Sequence, residues 1–374
     1  MVDKSIIFCK FVNKTIKYNT MQLDNFGSRL RSARLIAGYS LRELAELIDN
    51  EVTKQALSKY ENNQMQPTSA VLSILAKALN LNIDFFVQDS FVHFKSKSFR
   101  KKQSLTQKEE DQILERARAY YENYSELESI LGINEAFNNP VKDLIINNYE
   151  DVEKAAITLR EVWQLGLQPI SNLFEMIEFV GIRVFAIHHD DKIDGVSIEV
   201  EEGNPLVIVN VSEKPIERIR FTVIHELAHT LLNFSETIKG DLKLVEKLCH
   251  YFASCFLLPY KRLVEQIGGT KRTYIKIDEL IRIKEYFGIS LRAVVYRLKQ
   301  NGIITDNYHK LWSIWLNKTY GTTKEPGEFI GQEKTNRFMQ LLDRALAEEL
   351  ITASKAASLS NLSIQEIRNF QPVG

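Results

Sequence analysis

The sequence predicts a mainly α-helical protein with a small β-sheet: an N-terminal five-helix domain, then an α+β domain, then a helical C-terminal region. Three observations predict this. Apolar residues recur at three- and four-residue steps through residues 26–87 and again from Leu242 onward. Between those regions, "GIRVFAI" (181–187), "GVSIEV" (195–200) and "PLVIVN" (205–210) are β-branched runs parted by Asp/Gly turns. The chain also has 374 residues, more than one compact core usually holds, so two or three domains are expected.

Residues 1–25 read as an N-terminal extension. Its opening, "MVDKSIIFCKFVNKTIKY", has a short apolar patch broken by Lys10 and no small-residue cleavage site, which makes a poor signal peptide; Met21 is a candidate second start. In residues 26–90, Leu30, Ala33 and Ala37 mark a first stripe, and Leu41, Leu44, Ala45 and Ile48 a second. Ala56, Leu57 and Tyr60 mark a third, and Val71, Leu72, Leu75, Ala76 and Leu79 continue the series. Breaks at Gly38-Tyr39-Ser40, Asp49-Asn50 and Pro67-Thr68 divide the region into five short helices. Residues 91–112 carry five basic residues between Lys95 and Lys102 and read as a linker. The α+β domain is expected over 113–300, beginning with long helices joined around Asn139-Pro140, and the helical C-terminal region over 301–374. Within these, 277–304 shows helix, turn at Gly288-Ile289-Ser290, helix, and 345–370 has a similar rhythm; both are read as packing helices.

Composition narrows the function classes. With 48 basic and 48 acidic residues the net charge is zero, so nucleic-acid binding must come from a local patch. No apolar run approaches the roughly 18 residues that span a bilayer. Cys9, Cys249 and Cys255 are odd in number and scattered, which implies no disulfide framework and a cytoplasmic, reduced setting.

The segment "RFTVIHELAHTLL" carries the chemistry. Residues four apart stand one above the other on a helix, so His225 and His229 can aim imidazole nitrogens at one ion. Glu226 lies beside the first histidine as a general base, the arrangement of an HExxH zinc site. A third protein ligand is needed, and Glu246, 17 residues beyond His229 in "VEKLCHYFASCFLLP", is the candidate. His250 follows one turn later on the same face, as a further ligand or as a partner that orients one. Tyr296 and Arg297 are weak candidates for stabilising an oxyanion and read better as packing and surface residues. His188 and His189 read as part of a turn.

These residues resemble the ImmA/IrrE family of zinc metallopeptidases. The resemblance runs through Arg220, Phe221, Thr222, His225, Glu226, His229, Glu246, Phe252, Ala253, Leu257, Leu258 and Pro259, within roughly residues 150–300. It implies a zincin-like metallopeptidase domain, Zn2+ as cofactor, and a protein substrate that is often a lambda-like repressor. His250 departs from the pattern, because the family usually has Asn or Asp there.

Residues 40–61, "SLRELAELIDNEVTKQALSKYE", predict helix, turn, helix, with Thr53 as N-cap of the second helix. Lys54, Gln55, Ser58 and Lys59 then project from its first turns, as in a helix-turn-helix that reads the major groove. Arg29, Arg31 and Arg34 are candidates for contacts near the DNA backbone. Across 26–87 the chain resembles the lambda-repressor-like (Xre) helix-turn-helix family, with a turn about two residues longer than usual. The partners expected are operator DNA, a repressor-type protein substrate and, secondarily, a second copy, with no membrane. The expected function is a DNA-binding regulator with a zinc endopeptidase domain in a mobile-element, stress or phage-defence circuit. The alternative is a non-proteolytic regulator or antitoxin whose peptidase-like domain senses or docks.

Overall fold

The computed structural model describes residues 25–86, 92–99, 105–134, 136–190 and 193–369; the N-terminal extension, with Cys9 and Met21, lies outside them apart from Asn25. The chain forms two compact units. One holds residues up to Phe91 with Thr106–Glu122, and the other holds Val92–Leu105 with Asn123–Gly374.

The first unit contains α1 (Phe26–Ile36), α2 (Leu41–Leu47), α3 (Lys54–Glu61), α4 (Ser69–Ala78), α5 (Ile83–Phe86) and the first part of α6 (Gln107–Ile130). Five helices from 26 to 86 match the expectation. Side chains set their starts: Ser40 and Glu43 form a capping box, and Thr53 and Thr68 each accept a backbone N–H three residues on. The stripes meet in a core of Phe26, Leu30, Leu44, Leu57, Leu75 and Phe86. The long turn before α3 is accommodated by Asp49 and Asn50 at φ 52° and 58°, consecutive left-handed residues of the types that tolerate this region. Two arginines expected near DNA are corrected here. Arg29 is buried against Glu122, and Arg34 is bound by Glu61 at 2.6 and 2.8 Å, because each guanidinium lies on the packed side of α1. Arg31 is exposed.

The second unit is built on a four-stranded sheet of order β1-β4-β5-β3. Its strands are β1 (Phe94–Phe99), β3 (Arg183–Ile187), β4 (Gly195–Val200) and β5 (Leu206–Asn210); a short parallel pair joins β2 (Ile145–Ile146) to β6 (Asn233–Phe234). β4 runs antiparallel to both neighbours, and β3 and β5 are parallel. β5 is buried along its whole length, as a central strand covered on both faces should be. The expected linker is corrected at β1. "FKSKSF" lies in the edge position of the sheet, where only one side of the strand must be bonded, so lysines and serines are tolerated.

Helices α7 (Tyr149–Val162), α8 (Leu173–Phe179), α9 (Ile216–Leu231), α10 (Glu236–Lys239), α11 (Leu242–Leu257), α12 (Tyr260–Ile267), α13 (Ile277–Phe287), α14 (Leu291–Gln300) and α15 (Asp306–Tyr320) complete the body. The chain ends in α16 (Arg337–Ala347), α17 (Ala353–Ser360) and α18 (Ile364–Asn369). One core joins sheet residues Val207 and Val209 to α9, α11, α13, α14 and to Trp312 and Leu316 of α15. The boundary expected at residue 300 therefore does not separate two units. Residues 277–304 pack, as expected, through Phe287, Ile289, Leu291, Val294 and Leu298.

Candidate functional site

Two helices supply the site. α9 follows β5 after a turn that ends at Pro215, and both its flanks are buried: Val223, Ile224, Leu227 and Ala228 beside His225 and Glu226. α11 is started by Asp241, whose carboxylate accepts from the N–H groups of Lys243 and Leu244, and its apolar face, including Phe252, Cys255 and Phe256, lies in the same core.

The structure brings the candidate ligands together. His225 Nε2 and His229 Nε2 are 3.1 Å apart. Glu246 closes the triangle with its two carboxylate oxygens, Oε2 at 3.4 Å from the first and Oε1 at 3.3 Å from the second. Tetrahedral zinc with bonds of ~2.0–2.1 Å separates its donor atoms by about 3.3 Å, so these three residues fit such an ion. Hydrogen bonding to His225, then to His229, holds the Glu246 carboxyl far below the usual range, leaving it an anionic donor. His250 joins the cluster: ring, Glu246 carboxylate and His225 offer ligand atoms all within 4.8 Å of one another. That second grouping omits His229, but the 3.1–3.4 Å triangle is the tighter fit. The His250 ring stands 4.4 Å from that of His225 and stacks on Phe221.

Glu226 is fully buried next to the ligand pair. The sheet approaches it at the start of β4, where a Cβ on Gly195 would lie 3.1 Å from Glu226 Cγ and 2.9 Å from Thr222 Cγ2. Glycine is required there by space. Just before it, Asp194 binds Lys214 at 2.8 Å and Arg218 of α9 at 3.0 Å, which ties the strand to the helix.

Sequence reasoning missed three contributors. Cys249 places its thiol 3.6 Å from His229 Nδ1, behind the ligand atom; its signal was local, one turn after Glu246. Gly195 carried none. Nor did Glu333, which orders Arg220, a fully buried residue five positions before His225. Arg220 donates to the carbonyls of Gly288 at 3.1 Å and Ile170 at 2.8 Å, and pairs with the Glu333 carboxylate. Glu333 also accepts from Leu173 N at 2.6 Å and Phe174 N at 3.1 Å, capping α8. Farther along the same strap, Phe329 N donates to Glu217 of α9 at 3.1 Å, and Glu325 caps α14 through Leu291 N at 2.7 Å. The catalytic-type helix is thereby clamped by residues 325–333.

Other expectations fall out plainly. Arg297 is fully buried on Glu153, Cys255 and the Leu258 carbonyl, and Tyr296 accepts from Gln300, which places both in packing. His188 and His189 belong to a turn organised by Asn210. On α3, Thr53 caps the helix while Lys54, Gln55 and Lys59 are exposed and Ser58 is half-buried.

Residues 178–299 match the family model of the IrrE N-terminal-like domain of M78 peptidases, and residues 30–86 match the helix-turn-helix model. The chain thus carries a segment similar to a helix-turn-helix domain, followed by one similar to an IrrE N-terminal-like domain. Over 68 residues it is 41% identical to an uncharacterized HTH-type transcriptional regulator of Rickettsia conorii, covering 18% of this chain and 53% of that protein. It is equally similar to one of Rickettsia prowazekii, covering 51% of it. A prophage-derived uncharacterized HTH-type regulator of Bacillus subtilis is 30% identical over 69 residues, 62% of its length. The chain thus spans about half to three-fifths of the curated relatives it matches. The IrrE N-terminal-like domain includes His225, Glu226, His229, Glu246 and His250 and stops short of Glu325 and Glu333. Among the described residues no helix is long and apolar enough to cross a membrane.

Proposed function

We propose that the protein is a DNA-binding regulator whose IrrE N-terminal-like domain is a zinc endopeptidase acting on a repressor-type protein. The observation that carries this reading is the triangle of His225, His229 and Glu246 donor atoms beside a buried Glu226. A structural site needs no such glutamate; a hydrolytic one does. His225, His229 and Glu246 would hold the ion, which when bound supplies Lewis acidity toward the scissile carbonyl and acidifies water. Glu226 accepts the proton of the attacking water and returns it to the leaving amine. Cys249 and the Arg220–Glu333 clamp hold the rings and helix in place. Thr53, Lys54, Gln55, Ser58 and Lys59 on α3 are the proposed DNA contacts. The fusion would let operator binding bring the peptidase beside a repressor, or let the chain control its own promoter.

The test compares new protein N-termini in cells expressing wild type and Glu226→Gln, with and without DNA damage. Termini that need Glu226 identify the substrate. If none form while the chain still binds DNA and one zinc, the peptidase reading is rejected and a non-proteolytic regulator remains.

A further inference from the structure

Resting on the peptidase reading above, we infer that the edge of β4 is the docking strand for an extended segment of the protein substrate, and that β1 is the chain's own occupant of that edge. β4 is bonded on one side by β5, from within the matched domain, and on the other by Phe94–Phe99, which precedes that domain by many residues. The β1 ladder pairs Lys97 with Ile198, Ser98 with Ser197 and Phe99 with Val196, the neighbour of Gly195. Gly195 is where the sheet comes nearest the general base, since a Cβ there would stand 3.1 Å from Glu226 Cγ. A strand laid along β4 in the direction of β1 therefore leads its following residues toward Glu226.

β1 has the marks of a replaceable strand. Among the described residues it pairs as a strand with β4 alone. Its register is broken between Phe94 and Ser96. Strand addition takes its affinity from main-chain hydrogen bonds and its selectivity from alternate side chains. The edge thus fits an unfolded segment able to lie extended for about six residues, such as a connector between folded parts of a repressor. While β1 is paired, that segment has no place to bind, so cleavage is conditional on release of β1.

The test uses the full-length chain in a Glu226→Gln background with a fluorescent peptide carrying the sequence of residues 92–101. Three forms are compared: otherwise unchanged, Ser96→Pro/Lys97→Pro to expel β1, and Ser98→Cys/Ser197→Cys oxidised to lock it. The proline form should bind the peptide at least ten-fold more tightly than the unchanged form. The locked form should not bind until reduced. Equal binding by all three, or none by a proline form that melts like the unchanged chain, overturns the inference. Hydrogen exchange on the unchanged chain gives a check that needs no foldable variant: β1 amides should exchange at least ten-fold faster than those of β5, and equal protection overturns the replaceable strand. Peptide binding by the proline form, with no new termini when Glu226 is restored, upholds the edge and rejects the peptidase.

Discussion

At Gly288 the chain leaves α13 with φ 62°, and an added Cβ would stand 2.7 Å from Arg220 Nε. Gly288→Ala should therefore cost about 2 kcal/mol, from the left-handed backbone and the displaced guanidinium together, measurable by denaturant unfolding. Asp194 gives a pH signature. Burial alone would raise its pKa, but Lys214 and then Arg218 outweigh burial and hold it at about 2. The folded value lies below the unfolded one, so the contribution, on the order of 2 kcal/mol, is present above pH ~4 and is lost as pH falls toward 2. Asp194→Asn should lower stability at neutral pH and flatten the acid limb of a stability–pH curve. At the metal triangle, His229→Ala should abolish stoichiometric zinc binding while His250→Asn keeps it, as read by metal analysis of dialysed protein; the reverse result would make the second grouping the real one. The histidine pair was legible in the sequence because four-residue spacing is a property of the helix alone. Glu246 was legible as the acidic residue near the start of the next apolar helix, but its contact with both imidazoles depends on how α9 and α11 pack. Gly195 and Glu333 act over separations that no local spacing encodes.

The clamp on α9 is the clearest case of an element held from elsewhere. Removing the carboxylate in Glu333→Ala leaves the guanidinium of Arg220 buried without its counter-charge, a loss of about 3–5 kcal/mol. Unfolding curves should show it, and Glu333→Gln should lose less because an amide still accepts hydrogen bonds from Arg220. The helices were legible because caps such as Ser40, Thr53 and Thr68 stand beside apolar stripes, and both signals are local. β3, β4 and β5 were legible for a similar reason, since buried strands need β-branched runs. β1 was not, because an edge strand can be as polar as a linker and its identity lies in the partner it finds.

Across the whole chain the two activities proposed should separate by mutation. Gln55→Ala and Lys59→Ala should weaken operator binding without changing zinc stoichiometry, and Lys59→Ala, which removes a cation proposed to face a phosphate, should lower the salt slope by about one. Glu226→Gln should leave DNA binding intact; a gel-shift titration at several salt concentrations decides both. The matched regions, 30–86 and 178–299, account for the parts whose residues carry recognisable local patterns. The strap from Glu325 to Glu333 lies beyond them, yet it holds α8, α9 and α14. A nonsense or frameshift allele that ends the chain after Gly321 would keep every proposed ligand and the general base. Its phenotype should nonetheless match that of an allele altered at His225, so a genetic screen for lost function will score hits far downstream of the motif.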